Sequence, residues 1–393
     1  MIETQTNTLW LKAGIIGSTW AAFEIIVGSF LHNLQVPFAG TLLSAASVFL
    51  LISFLQMWQE KGIILRAGII CALMKSISPS AIIIGPMVGI FMEAVIIELF
   101  VLVLGRNVFG YIVSGAVAVL WSLGQKILFL LLMYGLDLIE LAKSLYQYLI
   151  KISGIDGLSA FYLIVGIVFI YLIVGSLAAY AGFVSGKRYL KAPVKRSEPI
   201  TANHNYSQVL NAHTDQPFSL VLLGIIVSMI VVSLYFINNQ MYVYGAISAV
   251  SFVVFCIARY KNAMGHLRKP GIWIQFFLIT TGAAVLWDWT STGNLLSLNG
   301  LTVGLEMNAR AIIIIFGFAA VGVELRNPII TALLYKRGFK NLHHTLTFAF
   351  SALPAIIDSL PKPTHILKER KLVIAQLLNQ SQNLYHTIEK QNT

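Results

Sequence analysis

Apolar stretches of about twenty residues recur along nearly the whole chain, and they limit what it can fold into. A helix needs about 20 apolar residues to cross the roughly 30 Å hydrocarbon core of a bilayer. The composition agrees, because charged residues make up only 11% of the chain, whereas soluble domains carry about 25%. The sequence therefore predicts an all-α, polytopic membrane helix bundle.

Ten transmembrane helices are predicted, and the long basic loops between them indicate their orientation. The predicted spans are residues 13–31, 38–57, 65–78, 81–104, 110–133, 160–184, 218–237, 243–257, 272–287 and 309–323. With the N-terminus inside, the basic loops follow the even-numbered spans, as the positive-inside rule requires. We expect a multi-pass protein of the cell (inner) membrane with both termini in the cytoplasm. Residues 135–158 read as a mixed-charge amphipathic helix on the outside.

The net charge of +11 comes from these loops, so anionic lipid headgroups rather than nucleic acid are the expected partner. Residues 1–8 lack a basic region and carry Glu3, so no cleaved signal peptide is predicted. Cys71 and Cys256 lie in apolar runs without nearby ligands at metal-binding spacing, and we interpret them as packed thiols.

A polar, proline-containing segment divides the chain. Residues 187–217 are predicted as a basic cytoplasmic linker between a six-span unit (1–186) and a four-span unit (218–326). The remaining residues, 327–393, form a tail whose amphipathic helices should lie on the membrane surface or against a partner. The two units show no sequence repeat, which does not favour an inverted-repeat transporter.

Carboxylates within the apolar runs are the main candidates for chemistry, because a charge at the membrane centre costs about 2.5–3.5 kcal/mol on insertion scales. Glu24 lies in the first predicted span, and Glu93 and Glu98 lie in the fourth. They could ligate a cation, an amine or a proton, or they could only fix helix packing. Gly85 and Gly89 share a face with Glu93 and would let a neighbouring helix approach.

Two polar segments complete the predicted binding site. A short outside turn follows the first span and carries His32, Asn33 and Gln35; ligand contact and an interfacial role are both open for His32. The third span ends in Lys75, Ser78 and Ser80, interrupted by prolines. Broken helices of this kind mark binding sites in transporters, although a structural kink is equally compatible. Lys75 could reach toward the interface or pair with a glutamate.

Small residues at a spacing of four on the first span, Gly14, Ser18 and Ala22, predict close helix–helix packing. Motifs of several enzyme classes do not occur, including the phosphate-binding loop of ATPases, HExxH and GxSxG. No catalytic residue, metal or cofactor is predicted.

The first 190 residues resemble a substrate-binding S component of energy-coupling-factor (ECF) transporters. The similarity lies in six predicted spans within 200 residues, the small-residue strip of the first span and the stretch SPSAIIIGPMVGIFME. In that family, small residues of the first helix contact the transmembrane T component. The resemblance gives that role to Gly14, Ser18 and Ala22.

The later stretch GLEMNARAIIIIFGFAAVGVELRNPIITALLYKRGFKNLHHTLTFAFSALPAI is similar to part of a T component. T components couple to cytoplasmic ATPases through Ala-Arg-Gly-like motifs. The matching positions here are Lys336, Arg337 and Gly338, with Lys where the family has Ala, preceded by Arg326. Resemblance thus implies that these residues couple to an ATPase.

Three functions follow from these features. The leading hypothesis is a permease for uptake of a small, cationic or amine-bearing solute, driven by separate ATPase subunits. The second is a non-transporting scaffold or assembly subunit whose tail docks a cytoplasmic partner. A lipid-active membrane enzyme is a remote third, because no paired acid and base occur at a recognisable spacing.

Overall fold

The computed structural model describes residues 8–33, 38–75, 84–153, 159–191, 220–260, 270–287, 297–324, 340–359 and 377–386. Every regular element in those ranges is an α-helix, as predicted. In chain order the helices are α1 (Thr8–Asn33), α2 (Ala39–Met57), α3 (Ile63–Lys75), α4 (Ile84–Leu104), α5 (Val108–Tyr134), α6 (Asp137–Ser153), α7 (Ala160–Lys191), α8 (Leu220–Asn238), α9 (Tyr242–Arg259), α10 (Pro270–Leu286), α11 (Leu298–Glu324), α12 (Lys340–Ser359) and α13 (377–386).

Eight of these helices, α1, α2, α4, α5, α7, α8, α9 and α11, are long and apolar enough to cross a membrane. The predicted third and ninth spans fall on shorter helices. α3 has 13 residues, which is about 20 Å at 1.5 Å per residue and less than a bilayer core. α10 has 17 residues. The count of ten spans therefore stays a prediction, while a multi-pass helical bundle is confirmed.

The outer face of the bundle is apolar, as a lipid-facing surface should be. α7 shows this most clearly, with Phe161, Tyr162, Ile164 and Phe169 each at least 60% exposed. Contiguous exposed apolar surface of this kind is unusual for a soluble protein. Its position on long apolar helices agrees with contact to lipid.

Helices α2, α5 and α7 form a tight trio because α7 presents small residues to both neighbours. A Cβ built on Gly175 would lie 2.4 Å from the carbonyl oxygen of Gly115, and one on Gly182 would lie 2.5 Å from that of Phe49. Glycine is required for such approach, since apolar side chains would separate the backbones. These glycines allow the close packing of α7 against α2 and α5.

The short helix α3 packs between α1 and α4. A Cβ on Gly17 would lie 2.8 Å from the carbonyl oxygen of Ala67, and one on Gly68 would lie 2.2 Å from the Cβ of Ala94. Ile63, Ile64 and Ile70 of α3 are fully buried. The helix is therefore a core element of the first unit.

In the second unit, α11 packs against α8, α9 and α10, and also against α5 of the first unit. Its N-terminal half lies close to α10 at Gly300 and Gly304, and the Asn308 side chain donates to the Thr280 hydroxyl at 2.6 Å. α11 begins at Leu298, eleven residues before the predicted span, because this half is covered by α10.

One buried arginine joins the two units. Arg310 of α11 is 9% exposed and its guanidinium forms ion pairs with Asp137, at the start of α6, and with Glu306. It also donates to the carbonyl oxygen of Tyr134 at 3.3 Å. The observed α6 lies within the predicted amphipathic segment, and its first residue anchors the contact.

The tail folds back onto its own chain. α12 packs along α1 and α3, and a Cβ on Gly14 would lie 2.5 Å from the Thr345 methyl. Tyr385 of α13 packs on Trp58, with ring centroids 5.8 Å apart. The described part of the tail packs on the first unit, and its position at the membrane surface or against a partner stays a prediction. α7 continues to Lys191, so the start of the predicted linker is helical.

Candidate functional site

A cavity of about 540 Å³ lies between α1, α2, α4 and α5. Both Glu24 and Glu93, predicted from separate spans, line it. The other lining residues are Gly40, Leu43, Ser44, Gly85, Pro86, Gly89, Ile90, Ala118, Trp121, Ser122, Gln125, Lys126, Phe129 and Leu130. The size is that of a pocket for a small organic molecule.

The Glu24 carboxylate has a cationic partner. Lys75 Nζ lies 3.7 Å from Glu24 Oε2, and both side chains are largely buried. Ser47 donates to Glu24 Oε1 at 3.2 Å, and the Trp20 indole N–H donates to the Ser47 hydroxyl at 2.8 Å. The sequence left open whether Lys75 reaches toward the interface or pairs with a glutamate. In the structure it pairs with Glu24.

The Glu93 carboxylate is only 6% exposed, yet no cation lies within ion-pair distance of it among the described residues. Its described hydrogen bond comes from Ser44, whose hydroxyl donates to Oε1 at 3.3 Å. A buried carboxylate normally needs a positive partner or several donors to offset the loss of hydration. Of the two carboxylates that line the cavity, Glu93 is therefore the one without a cationic partner among the described residues.

Helix α5 supplies the polar groups opposite Glu93. The Gln125 amide donates to the carbonyl oxygen of Gly85 at 2.6 Å, and a Cβ on Gly89 would lie 2.5 Å from Gln125 Oε1. The Trp121 indole nitrogen is buried and has no hydrogen-bond partner among the described residues. Lys126 lies at an exposed position, with Nζ 3.4 Å from the Thr41 hydroxyl.

The cavity lies toward one end of the bundle. Its lining comes from the second half of α1, the first halves of α2 and α4, and the middle and second half of α5. The tail helices pack near the beginning of α1, the end of α2 and the end of α7, through Lys12, Trp58 and Tyr189. In the predicted topology the cavity end is outside and the tail end is inside.

The third candidate carboxylate, Glu98, contacts the backbone at the start of α3. Its carboxylate accepts from the backbone N–H groups of Gly62 at 2.6 Å, Ile64 at 3.0 Å and Leu65 at 3.4 Å. The first N–H groups of a helix have no partner within the helix. Glu98 supplies that partner, and it does not line the cavity.

Several predicted site residues cannot be placed. His32 and Asn33 lie in the last turn of α1, and their side chains are outside the described part of the structure. The remaining ones lie wholly outside the described residues: Gln35, Ser78, Ser80, Arg326, Lys336, Arg337 and Gly338.

The predicted packing residues of α1 are buried. Gly14 faces α12, Ala22 is 0% exposed, and Ser18 donates within α1 to the carbonyl oxygen of Ile15 at 3.1 Å. Gly85 and Gly89 face side chains of α5 and line the cavity. The contact at Gly14 therefore joins the first unit to a helix of the tail.

Sequence reasoning missed the contribution of α5 and α2 to the site. Gln125 and Lys126 form a polar pair inside an apolar run, and such residues within a span are candidates for function by default. Ser44 and Ser47 are three residues apart and so share a face of α2. Those two patterns were the available signals.

Taken together, these residues form a mostly apolar cavity with carboxylates at depth and a lysine at an exposed edge. Such a site can bind and orient a small molecule. The described residues contain no group of three His, Cys, Asp or Glu that could hold a metal ion. No protein-family model, curated protein or solved structure matches this chain.

Proposed function

We propose that this chain is a membrane permease that takes up a small solute through the cavity between α1, α2, α4 and α5. The observation that carries the proposal is that Glu24 and Glu93, on two different apolar helices, line one cavity. Burying a carboxylate in a membrane is costly, and such residues mark substrate or ion pathways. A merely structural pair would not require an open volume between the helices.

The arrangement of the two ends supports an energised cycle. Solute would enter from the predicted outer end, where the cavity lies. At the other end, α12 contacts the small-residue strip of α1 at Gly14. This contact joins the S-like unit to the T-like part of the chain, as the ECF resemblance implies. A separate ATPase would then drive the cycle from the cytoplasmic side.

Purification in mild detergent tests the energy source. We expect an ATPase to copurify with the chain, and to be lost from the Arg337→Glu variant because charge reversal would disrupt the proposed coupling segment. Arg188→Glu, an exposed cation at the end of α7, is the matched control and should retain the ATPase. Retention of the ATPase by Arg337→Glu would contradict the assigned coupling position.

Uptake measurements test transport itself. Cells lacking the protein should lose uptake of one solute, and expression of the wild-type chain should restore it. The Glu93→Gln variant should restore less uptake at equal expression. If deletion left the uptake of all candidate amines and cations unchanged, the transport proposal would be wrong.

The scaffold hypothesis has less structural support. It depends on an apolar stripe of the tail being free for a partner. Three residues of that stripe, Leu377, Leu378 and Leu384, are at most 6% exposed because α13 packs on its own chain. The described part of the stripe is therefore buried within the molecule.

A further inference from the structure

We infer that the cavity binds a singly charged organic ammonium ion with an apolar body, and that Glu93 rather than Glu24 binds the ammonium group. The inference rests on the proposed function, because it names the substrate class of the same site. It follows from three features of the cavity: its charge balance, its walls and its donor set.

The charge balance separates the two carboxylates. Glu24 already faces Lys75 at 3.7 Å and accepts from Ser47, so its charge is offset within the protein. Glu93 accepts from the Ser44 hydroxyl at 3.3 Å and has no ion pair among the described residues. A ligand cation at Glu93 would therefore complete a buried pair that the protein leaves open.

The walls indicate what the rest of the ligand is like. Leu43, Ile90, Phe129 and Leu130 form part of the cavity wall, together with Trp121. Apolar walls stabilise an apolar ligand body through the loss of water contact. A volume of about 540 Å³ leaves room for an organic molecule well beyond a bare ammonium ion.

The groups that could coordinate a metal ion at Glu93 are too few to favour a bare metal ion as the ligand. Divalent cations in proteins take about six or more oxygen ligands, or about four ligands that include His or Cys. The described hydrogen bond to the Glu93 carboxylate comes from the Ser44 hydroxyl, and the described residues include no group of three His, Cys, Asp or Glu that could hold a metal ion. An ammonium ion needs only one to three acceptors, which Glu93 and Ser44 can supply together with the ligand's own surroundings.

Calorimetric titration of the protein in lipid nanodiscs tests the inference, with empty nanodiscs as the blank for partition into lipid. The probes are 2-phenylethylamine, its neutral analogue 2-phenylethanol and the anion 3-phenylpropanoate. We expect wild-type protein to bind the amine at least about tenfold more tightly than the alcohol, as for a charge-assisted hydrogen bond, and to bind the anion least. Equal binding of amine and alcohol would overturn the inference without any variant.

Two variants then assign the carboxylate. Glu93→Gln should lower affinity for the amine at least about tenfold and leave that for the alcohol within about threefold. The matched control is Glu140→Gln, which removes one carboxylate charge at an exposed position of α6 that does not line the cavity. It should bind the amine within about threefold of wild type. A larger loss in the control than in Glu93→Gln would overturn the assignment.

The outcomes also separate this inference from the proposed function. Amine binding by Glu93 with no solute uptake in cells would refute transport and leave the binding site standing. Uptake of a solute without an amine, with no binding of the amine probe, would refute the inference and leave transport standing.

Discussion

Glu98 offers a direct test of how one buried carboxylate supports the bundle. In the Glu98→Gln variant the side chain keeps one acceptor oxygen in place of two. The native carboxylate uses Oε1 for the Gly62 N–H and Oε2 for the Ile64 and Leu65 N–H groups. At least one of these donors must therefore lose its partner, at the positive end of the α3 dipole.

The magnitude follows from the bonds that are lost. A hydrogen bond to a charged group contributes about 1.5–3 kcal/mol, against about 0.5–1.5 kcal/mol for a neutral one. Loss of one charged bond should raise the population of locally opened α3 by roughly ten- to a hundredfold, because about 1.4 kcal/mol is a factor of ten. The rest of the bundle keeps its own contacts and should change far less.

The two free cysteines make this measurable. Cys71 lies on α3 and Cys256 on α9, and both are 0% exposed. Labelling by a thiol-reactive dye should accelerate at Cys71 in a Cys256→Ser background, while Cys256 in a Cys71→Ser background serves as the matched control. Unchanged labelling at Cys71, or equal acceleration at both thiols, would refute the assignment of Glu98 to the start of α3.

Three further perturbations follow from the packing. Gly14→Leu should release α12, because even a Cβ at this position would lie 2.5 Å from the Thr345 methyl group. Hydrogen exchange of residues 340–359 should therefore accelerate. The control Gly166→Leu should leave that exchange unchanged, because nothing lies within 4 Å of a Cβ at Gly166. Asp137→Asn should lower stability by about 1.5–3 kcal/mol in thermal unfolding, since it removes the charge that faces buried Arg310. Burial and a hydrogen bond to a carboxylate raise the pKa of Tyr260, so stability should fall above about pH 10, and Tyr260→Phe should flatten that fall.

The expected pH effect comes from the Tyr260 hydroxyl. The folded state favours the neutral Tyr260 hydroxyl, which donates to Glu324 at 2.6 Å. Its contribution is therefore complete below the unfolded pKa of about 10 and is lost as the pH rises through the higher folded value. An unchanged pH profile in Tyr260→Phe would contradict this reading. Equal hydrogen-exchange rates in Gly14→Leu and Gly166→Leu would contradict the predicted release of α12. An unchanged melting temperature in Asp137→Asn would contradict the predicted contribution of the Asp137 charge to stability.

The spans were readable from the sequence because membrane insertion depends on local apolarity. Each of the ten predicted runs overlaps a helix, and the predicted amphipathic segment 135–158 contains α6. Span length was harder to predict, since α3 is an apolar helix of 13 residues and is shorter than α2 and α4. Its place in the core depends on Gly17 and Gly68, whose partners come from other helices.

The candidate site was also predictable from the sequence only in part. Apolarity alone singled out Glu24, Glu93 and Lys75, because any charge within such a run is conspicuous. That Lys75 pairs with Glu24 and leaves Glu93 without a cation among the described residues could not be read from their spacing. It depends on how four helices rotate about their axes when small residues pack. Only the tertiary structure decided that the two carboxylates share one cavity and that the tail closes onto α1, since contacts between residues distant in sequence are set by helix packing and not by local pattern.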